Sequence, residues 1–267
     1  MLGPILAVLL AACGQQANAP LDGLHPTIVS LNPCSDAILA EVADPGQLRA
    51  ISHYSHDPGA SSMERGLALG FPATGGTVEE VLALQPDMVV AGSFLPVATR
   101  NAFERLGIKV EALGIASTIE QSREQVRQLA GFAGQPERGE ELVARIDAAL
   151  AQSQPQGAPP SALVWQQGGI VAGPDSLIAE LLSHAGFANH ATARGLGQGA
   201  YLPLEAVLID PPDLILAAAD DRALTHPALG ELASRRVDLD PSLLFCGGPS
   251  IIRTADRLAE IRLEIDR

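Results

Sequence analysis

The chain has 267 residues, which is long enough for one large domain or two medium ones with cores of their own. Its formal net charge of −14 argues against a nucleic-acid partner, because such partners need a basic surface. An acidic surface can still meet a basic protein partner. Aromatic residues make up only 3% of the chain, so a ligand pocket would have few stacking surfaces.

The N-terminus has the pattern of an export signal. Residues 5–12 are apolar but too short a run to span a bilayer, and they end in Leu-Ala-Ala-Cys. This ending resembles a bacterial lipobox. We therefore expect residues 1–26 to be a lipoprotein signal and tether, with Cys13 lipidated and the mature chain anchored in the periplasm or at the outer face of the cell membrane. The alternative is a cytosolic protein with an apolar start.

After the tether, strand and helix patterns alternate. Strands are predicted at 27–31, 48–52, 88–91 and 109–113, and helices at 35–42 (with Ser35 as its cap), from 77, and at 97–106. This order favours a small parallel sheet with helices on its faces. We take residues 27–117 as an N-terminal α/β lobe.

Residues 118–160 read as a helical connection. A helix is predicted from 118 and a second one over 136–153, where Leu142, Ile146 and Leu150 form one apolar stripe. At about 1.5 Å per residue the second helix would be roughly 27 Å long, enough to bridge two lobes.

The strand and helix order then starts again, so residues 161–267 are taken as a C-terminal α/β lobe. The predicted elements are strands at 161–165, 213–216 and 242–245, and helices at 177–185, 204–209, 224–234 and 251–265.

One stretch occurs twice. TVEEVLALQPDMVVA at 77–91 and LEAVLIDPPDLILA at 204–217 match with Glu79 on Glu205, Pro86 on Pro212 and Asp87 on Asp213. A single repeat at about 126 residues is too widely spaced for a solenoid and indicates two similar lobes.

The order of several motifs resembles a known family. They are TIVSLNPCSDAIL, SHYSHDP, TVEEVLALQPDMVVAG, LGIKVEAL, YLPLEAVLIDPPDLIL and CGGPS. The chain is similar to class III periplasmic substrate-binding proteins of ABC importers, which carry vitamin B12, haem or ferric siderophores. The resemblance implies two α/β lobes with parallel sheets, joined by a single long helix, and a ligand cleft between them. It also implies a monomeric protein without a cofactor, whose partner is an ABC permease dimer in the inner membrane. The common enzyme motifs are absent from the sequence.

The resemblance gives Glu79 and Glu205 a role in permease docking. In the family, one glutamate on each lobe meets arginines of the permease, and bidentate arginine–carboxylate pairs supply register as well as attraction. The other reading is that each acid only favours the dipole of its helix.

The loop from His53 to Asp57 carries the most ligand chemistry. Tyr54 matches a cleft aromatic of B12-binding members, and His53 or His56 could ligate a haem or metal ion. The third reading is a solvated loop. A free metal-ion receptor, or a metal-dependent enzyme using His53, His56 and Asp57, stays open as an alternative function.

Two further groups of residues are expected at the cleft. Cys34 and Cys246 could form a disulfide between the lobes, ligate the metal of a chelate as thiols, or be small buried residues. Phe94, Trp165 and Tyr201 could stack on a planar macrocycle or pack in a core. The resemblance implies a metal chelate as cargo, with a corrinoid favoured and haem or a ferric siderophore next.

Overall fold

The computed structural model describes residues 25–152 and 157–265. The predicted signal and most of the tether, including the lipidation site Cys13, lie outside these residues, so the lipid anchor stays a prediction. Within the described part of the chain, no helix is long and apolar enough to cross a membrane.

The first lobe is a parallel α/β sheet, as predicted. Its strand order is β3-β2-β1-β4-β5, with Ile28 and Val29 of the central strand fully buried. The α1 helix begins at Pro33, and its cap is Asn32 rather than the predicted Ser35, because the Asn32 side chain accepts the backbone N–H groups of Cys34 and Ser35. The elements are β1 (Ile28–Ser30), α1 (Pro33–Val42), β2 (Leu48–Ser52), α2 (Arg65–Ala68), β3 (Ala73–Thr74), α3 (Val78–Ala83), β4 (Met88–Gly92), α4 (Val97–Arg105) and β5 (Lys109–Leu113).

Two helices, α5 (Ile119–Phe132) and α6 (Pro136–Gln152), connect the lobes. The predicted stripe of α6 is confirmed: Leu142, Ile146 and Leu150 are buried in one hydrophobic cluster. That cluster also contains residues of both sheets, so α6 shares one hydrophobic core with both lobes. The predicted bridging helix is therefore present, while the exact division of the chain into segments stays a prediction.

The second lobe has a mixed sheet of order β11-β10-β6-β7-β9, with β8 also pairing β6. The β6, β8, β10 and β11 strands run parallel, whereas β7 is antiparallel to both β6 and β9. The elements are β6 (Ser161–Gln166), β7 (Ile170–Val171), α7 (Leu177–His184), β8 (Ala188–Asn189), α8 (His190–Ala193), β9 (Ala200–Tyr201), α9 (Leu204–Ile209), β10 (Leu214–Ala217), β11 (Arg235–Asp238) and α10 (Ser250–Ile265).

Two predictions in this lobe are wrong. The stretch predicted as a helix over 224–234 forms 3₁₀ turns, Arg222–Thr225 and Pro227–Glu231, because Pro227 starts a new turn inside it. The stretch predicted as a strand over 242–245 begins inside another 3₁₀ turn, Pro241–Leu243. The edge strand is instead the charged Arg235–Asp238, which lacks the apolar pattern of a buried strand.

The repeated Pro-Asp segment has the same structural task in both lobes. The Asp87 carboxylate accepts the backbone N–H and the hydroxyl of Thr27, each at 2.8 Å. In the second lobe Asp213 accepts the same two groups of Ser161, at 2.7 and 2.8 Å. These hydrogen bonds, the backbone one first, lower the pKa of both carboxyls. Each repeat therefore fastens the start of its central strand.

Candidate functional site

The candidate site is built from loops at the carboxyl ends of the parallel strands. Cys34 lies just after β1, in the first turn of α1, and Cys246 lies in the loop before α10. The two cysteines form a disulfide with their Cα atoms 5.2 Å apart, joining segments 212 residues distant in sequence. Of the three sequence readings, the structure has the disulfide. A disulfide sulfur is not a thiolate, so neither cysteine can ligate a metal in this state.

The loop around Cys246 is packed tightly on the first half of the chain. The Cys246 N–H donates to Ser62 Oγ at 3.0 Å, and the Gly248 N–H donates to Ser122 Oγ at 2.7 Å. A Cβ atom on Gly247 would lie 2.3 Å from Ser122 Oγ, so only glycine fits there. The disulfide and these contacts together fix how the lobes meet at this point.

The His53–Tyr54 pair stands at the exit of β2 on a 3₁₀ turn, His53–His56. Both side chains are exposed, Tyr54 by 54%, and their ring centroids are 4.0 Å apart. His53 Nδ1 lies 3.3 Å from the Thr74 carbonyl oxygen. As a donor to that carbonyl, Nδ1 would carry the ring proton and leave Nε2 with a lone pair. No other described residue forms a hydrogen bond with His53 Nε2.

The other histidine of the loop braces the fold. His56 is half-buried, and its Nε2 lies 3.1 and 3.2 Å from the carbonyl oxygens of Ala68 and Phe71, at the end of α2. Asp57 accepts the Gly59 N–H at 2.9 Å. In the described parts of the chain no three His, Cys, Asp or Glu side chains are placed to hold a metal ion. The alternative with His53, His56 and Asp57 as a joint metal site has no support in this geometry.

The three predicted stacking residues differ in position. Phe94, in the loop after β4, is 83% exposed, and Tyr201, at the end of β9, is 65% exposed. Since β9 and β6 are both antiparallel to β7, Tyr201 lies at the same sheet edge as the carboxyl end of β6. Trp165 corrects the expectation: it is only 2% exposed, packs in the core of the second lobe and donates its Nε1–H to Asp221.

Sequence reasoning missed Phe245. It is exposed and lies directly before the disulfide cysteine, and its carbonyl oxygen is 3.6 Å from Cys34 Sγ. The sequence pattern predicts a strand over 242–245, in which Phe245 would pair with a neighbouring strand. An aromatic residue next to a cysteine in a loop that meets the other lobe is the signal that could have identified it.

A separate groove of about 710 Å³ opens where the start of α5 faces α7 and α8. Its lining includes Gln121, Asp175, Glu180 and Asn189, and it contains none of the predicted ligand residues. Glu180 accepts the Ile119 N–H at 2.7 Å, which joins α7 to the start of α5.

Glu79 and Glu205 occupy equivalent places on α3 and α9. Each is exposed in the first turn of its helix and forms no hydrogen bond or ion pair with another described residue. The neighbouring Glu80 differs, because its carboxylate accepts Thr74 Oγ1–H and the Gly75 N–H at 2.9 and 2.8 Å. Each lobe thus exposes one glutamate whose side chain forms no local hydrogen bond or ion pair.

A family model described as periplasmic binding protein matches residues 28–231, more than half of the chain. The chain belongs to the periplasmic binding protein family. No curated protein sequence matches it.

Solved structures of periplasmic binding proteins resemble this one. The haem-binding protein RhuT from Roseiflexus sp. RS-1 has a TM-score of 0.70 at 21% identity, covering 89% of this chain and 96% of that one. A haem-binding protein from Pseudomonas aeruginosa has a TM-score of 0.69 at 22% identity, with 89% and 92% covered. The vitamin B12-binding protein BtuF of Vibrio cholerae has a TM-score of 0.68 at 16% identity, with 91% and 98% covered. At these identities the likeness shows the fold, two α/β lobes with parallel-rich sheets.

Proposed function

We propose that this periplasmic binding protein is the substrate-binding component of an ABC importer and that its cargo is haem. The observation that carries the proposal is the exposed His53–Tyr54 pair, in which His53 Nδ1 lies 3.3 Å from the Thr74 carbonyl oxygen, a contact that would leave the lone pair on Nε2 for a metal. Histidine nitrogen and tyrosine oxygen both serve as axial ligands of haem iron. The pair therefore suits a chelate that arrives with an open axial position.

Aromatic residues near the cleft edge support a flat cargo. Phe94, Tyr201 and Phe245 are exposed and can cover the faces of a macrocycle. Trp165 belongs to the core of the second lobe and therefore offers no stacking face to a macrocycle of either kind. Two of the similar structures described above are haem-binding proteins, which agrees with the shift from corrinoid to haem.

The proposed mechanism is capture and delivery without catalysis. Haem would enter between the lobes and lose its water there, while the Cys34–Cys246 bridge keeps the lobes from separating at that point. Delivery would follow when Glu79 and Glu205, one on each lobe, pair with arginines of the permease. A lipid on Cys13 would keep the loaded monomer near the membrane.

A titration series tests the cargo. Haem, cobalamin and a ferric siderophore are titrated separately while the fluorescence of Trp165, the only tryptophan, is followed. Burial does not prevent quenching, since haem can accept the excitation energy at a distance. We expect saturable one-to-one quenching by haem. Tighter binding of cobalamin than of haem would make a corrinoid the cargo. If none of the three binds saturably, the proposal that the cargo is a metal chelate is overturned.

A further inference from the structure

The proposed capture mechanism leaves one buried acid without a task. Asp36 lies in the first turn of α1, two residues after the disulfide cysteine, and is 0% exposed. Its Oδ1 atom has no hydrogen-bond partner among the described residues. A carboxyl with an unpaired oxygen in the interior opposes folding, so its presence calls for a function.

The other oxygen of Asp36 holds the turn that bears His53 and Tyr54. Asp36 Oδ2 accepts the Ser52 backbone N–H at 2.9 Å and the Ser55 hydroxyl at 2.6 Å. These two serines flank the exposed pair in sequence, and both are buried. The Asp36 carboxyl therefore binds the buried side of the turn, on both sides of the exposed dipeptide His53–Tyr54.

No other described group makes this double contact. Ser55 is approached by Ser61 Oγ only at 3.5 Å, and the Ser52 hydroxyl accepts the Tyr54 N–H at 3.4 Å, within the turn itself. Apart from Asp36, the turn is held at His53, whose Nδ1 lies 3.3 Å from the Thr74 carbonyl oxygen, and at His56, whose Nε2 lies 3.1 and 3.2 Å from two carbonyl oxygens at the end of α2. Asp36 is therefore the group that makes short hydrogen bonds to the two serines on either side of the pair, whereas the pair's own contacts, at 3.3 and 3.4 Å, are long and weak.

We propose that Asp36 is the positioning residue for cargo: through Ser52 and Ser55 it fixes the orientation in which His53 and Tyr54 meet the metal of the chelate. The inference rests on the proposed haem-binding function and adds a residue that does not itself touch cargo. The first turn of α1 then has two tasks, because Cys34 ties it to the loop before α10 while Asp36 holds the binding turn.

The test compares Asp36→Ala with Asp44→Ala in the disulfide-bonded protein. Asp44 lies just beyond the opposite end of α1 and binds Arg138 at 2.9 Å and Gln135 at 2.6 Å, so its removal destabilises the same lobe without touching the turn. Asp36→Asn keeps an oxygen able to accept both hydrogen bonds. Haem affinity, the Soret spectrum of the bound haem and hydrogen exchange at 52–56 are measured for all three variants.

We expect Asp36→Ala to weaken haem binding by roughly tenfold more than Asp44→Ala, to alter the Soret spectrum and to speed exchange at 52–56, while Asp36→Asn retains affinity. Should Asp36→Ala fail to fold, Ser55→Ala is compared with Ser35→Ala, which removes a buried hydroxyl of the same lobe that bonds Asn32 and Ser30 instead of the turn. Equal affinity and spectra within a pair, in a wild type that binds haem, would overturn the positioning role alone. No haem binding by the wild type would overturn the proposed function and this inference together.

Discussion

The two lobes share one set of hydrogen bonds, which we call the shared latch: the aspartate of each repeat binds the residue at the start of the central strand. The lobes differ in their loops. Asp87 with Thr27 and Asp213 with Ser161 make the same hydrogen bonds, and Glu79 and Glu205 stand free on equivalent helices. Among the residues that the structure describes, only the first lobe adds a buried acid and an exposed histidine–tyrosine pair. The second lobe buries its tryptophan and has antiparallel strands. What the lobes share suits a partner that meets both of them. What differs suits an asymmetric cargo.

The largest expected effect comes from removing the shared acids. Glu79→Ala combined with Glu205→Ala should abolish transport while leaving haem affinity unchanged, because neither side chain forms a hydrogen bond or ion pair with another described residue. Transport in cells and titration of the purified protein measure the two quantities. Glu104→Ala with Glu231→Ala, also one exposed acid in each half, is the matched control for charge. Normal transport by the first pair would remove the docking role.

Removing the Cys34–Cys246 disulfide should have the next largest effect, which is a loss of folding stability. Replacing Cys34 and Cys246 by serine opens a loop of 212 residues and should lower the free energy of unfolding by roughly 2–5 kcal/mol. Denaturant unfolding with and without reductant measures this, and the reductant should leave the double variant unaffected. Alkylation of two cysteines in the native, unreduced protein, read by mass, would show that the bridge is absent.

Asp36 should make the stability of the first lobe fall as pH rises from the acidic to the neutral range. Burial raises the pKa of Asp36 to about 8, and the hydrogen bonds from Ser55 and Ser52 oppose this rise only in part. The folded state then holds a proton that the unfolded state releases near pH 4, so stability should fall between about pH 4 and 8, by at most about 1.4 kcal/mol per unit. Thermal unfolding of wild type and Asp36→Asn across this range measures it. Parallel pH profiles would contradict the raised pKa.

Replacing the aspartates of the shared latch should give the smallest effect on stability, and its pH dependence should be opposite to that of Asp36. The pKa values of Asp87 and Asp213 are lowered, so their contribution is present above the ordinary carboxyl pKa and lost as pH falls through the lowered value. Asp87→Asn and Asp213→Asn should each lower the melting temperature at pH 7 but not at pH 2. An equal loss at both pH values would show that the ionised carboxyl is not what stabilises the strand.

The lobes and their symmetry could be read from sequence, and much of the site could not. The repeat, the stripe of Leu142, Ile146 and Leu150, and the strands of the first lobe depend on local patterns that survive in the fold. Trp165 and Asp36 depend on packing between distant segments, which periodicity does not contain. The charged strand Arg235–Asp238 shows the same limit, since an exposed edge needs no apolar pattern.

The most direct test of the account concerns the metal itself. Absorption and electron paramagnetic resonance spectra of ferric haem are recorded in the wild type, His53→Gln, Tyr54→Phe and the double variant. If the asymmetric turn of the first lobe ligates the cargo, at least one single variant should change the axial-ligand signature, and the double variant should lose it. Spectra and affinity unchanged in the double variant would contradict the account.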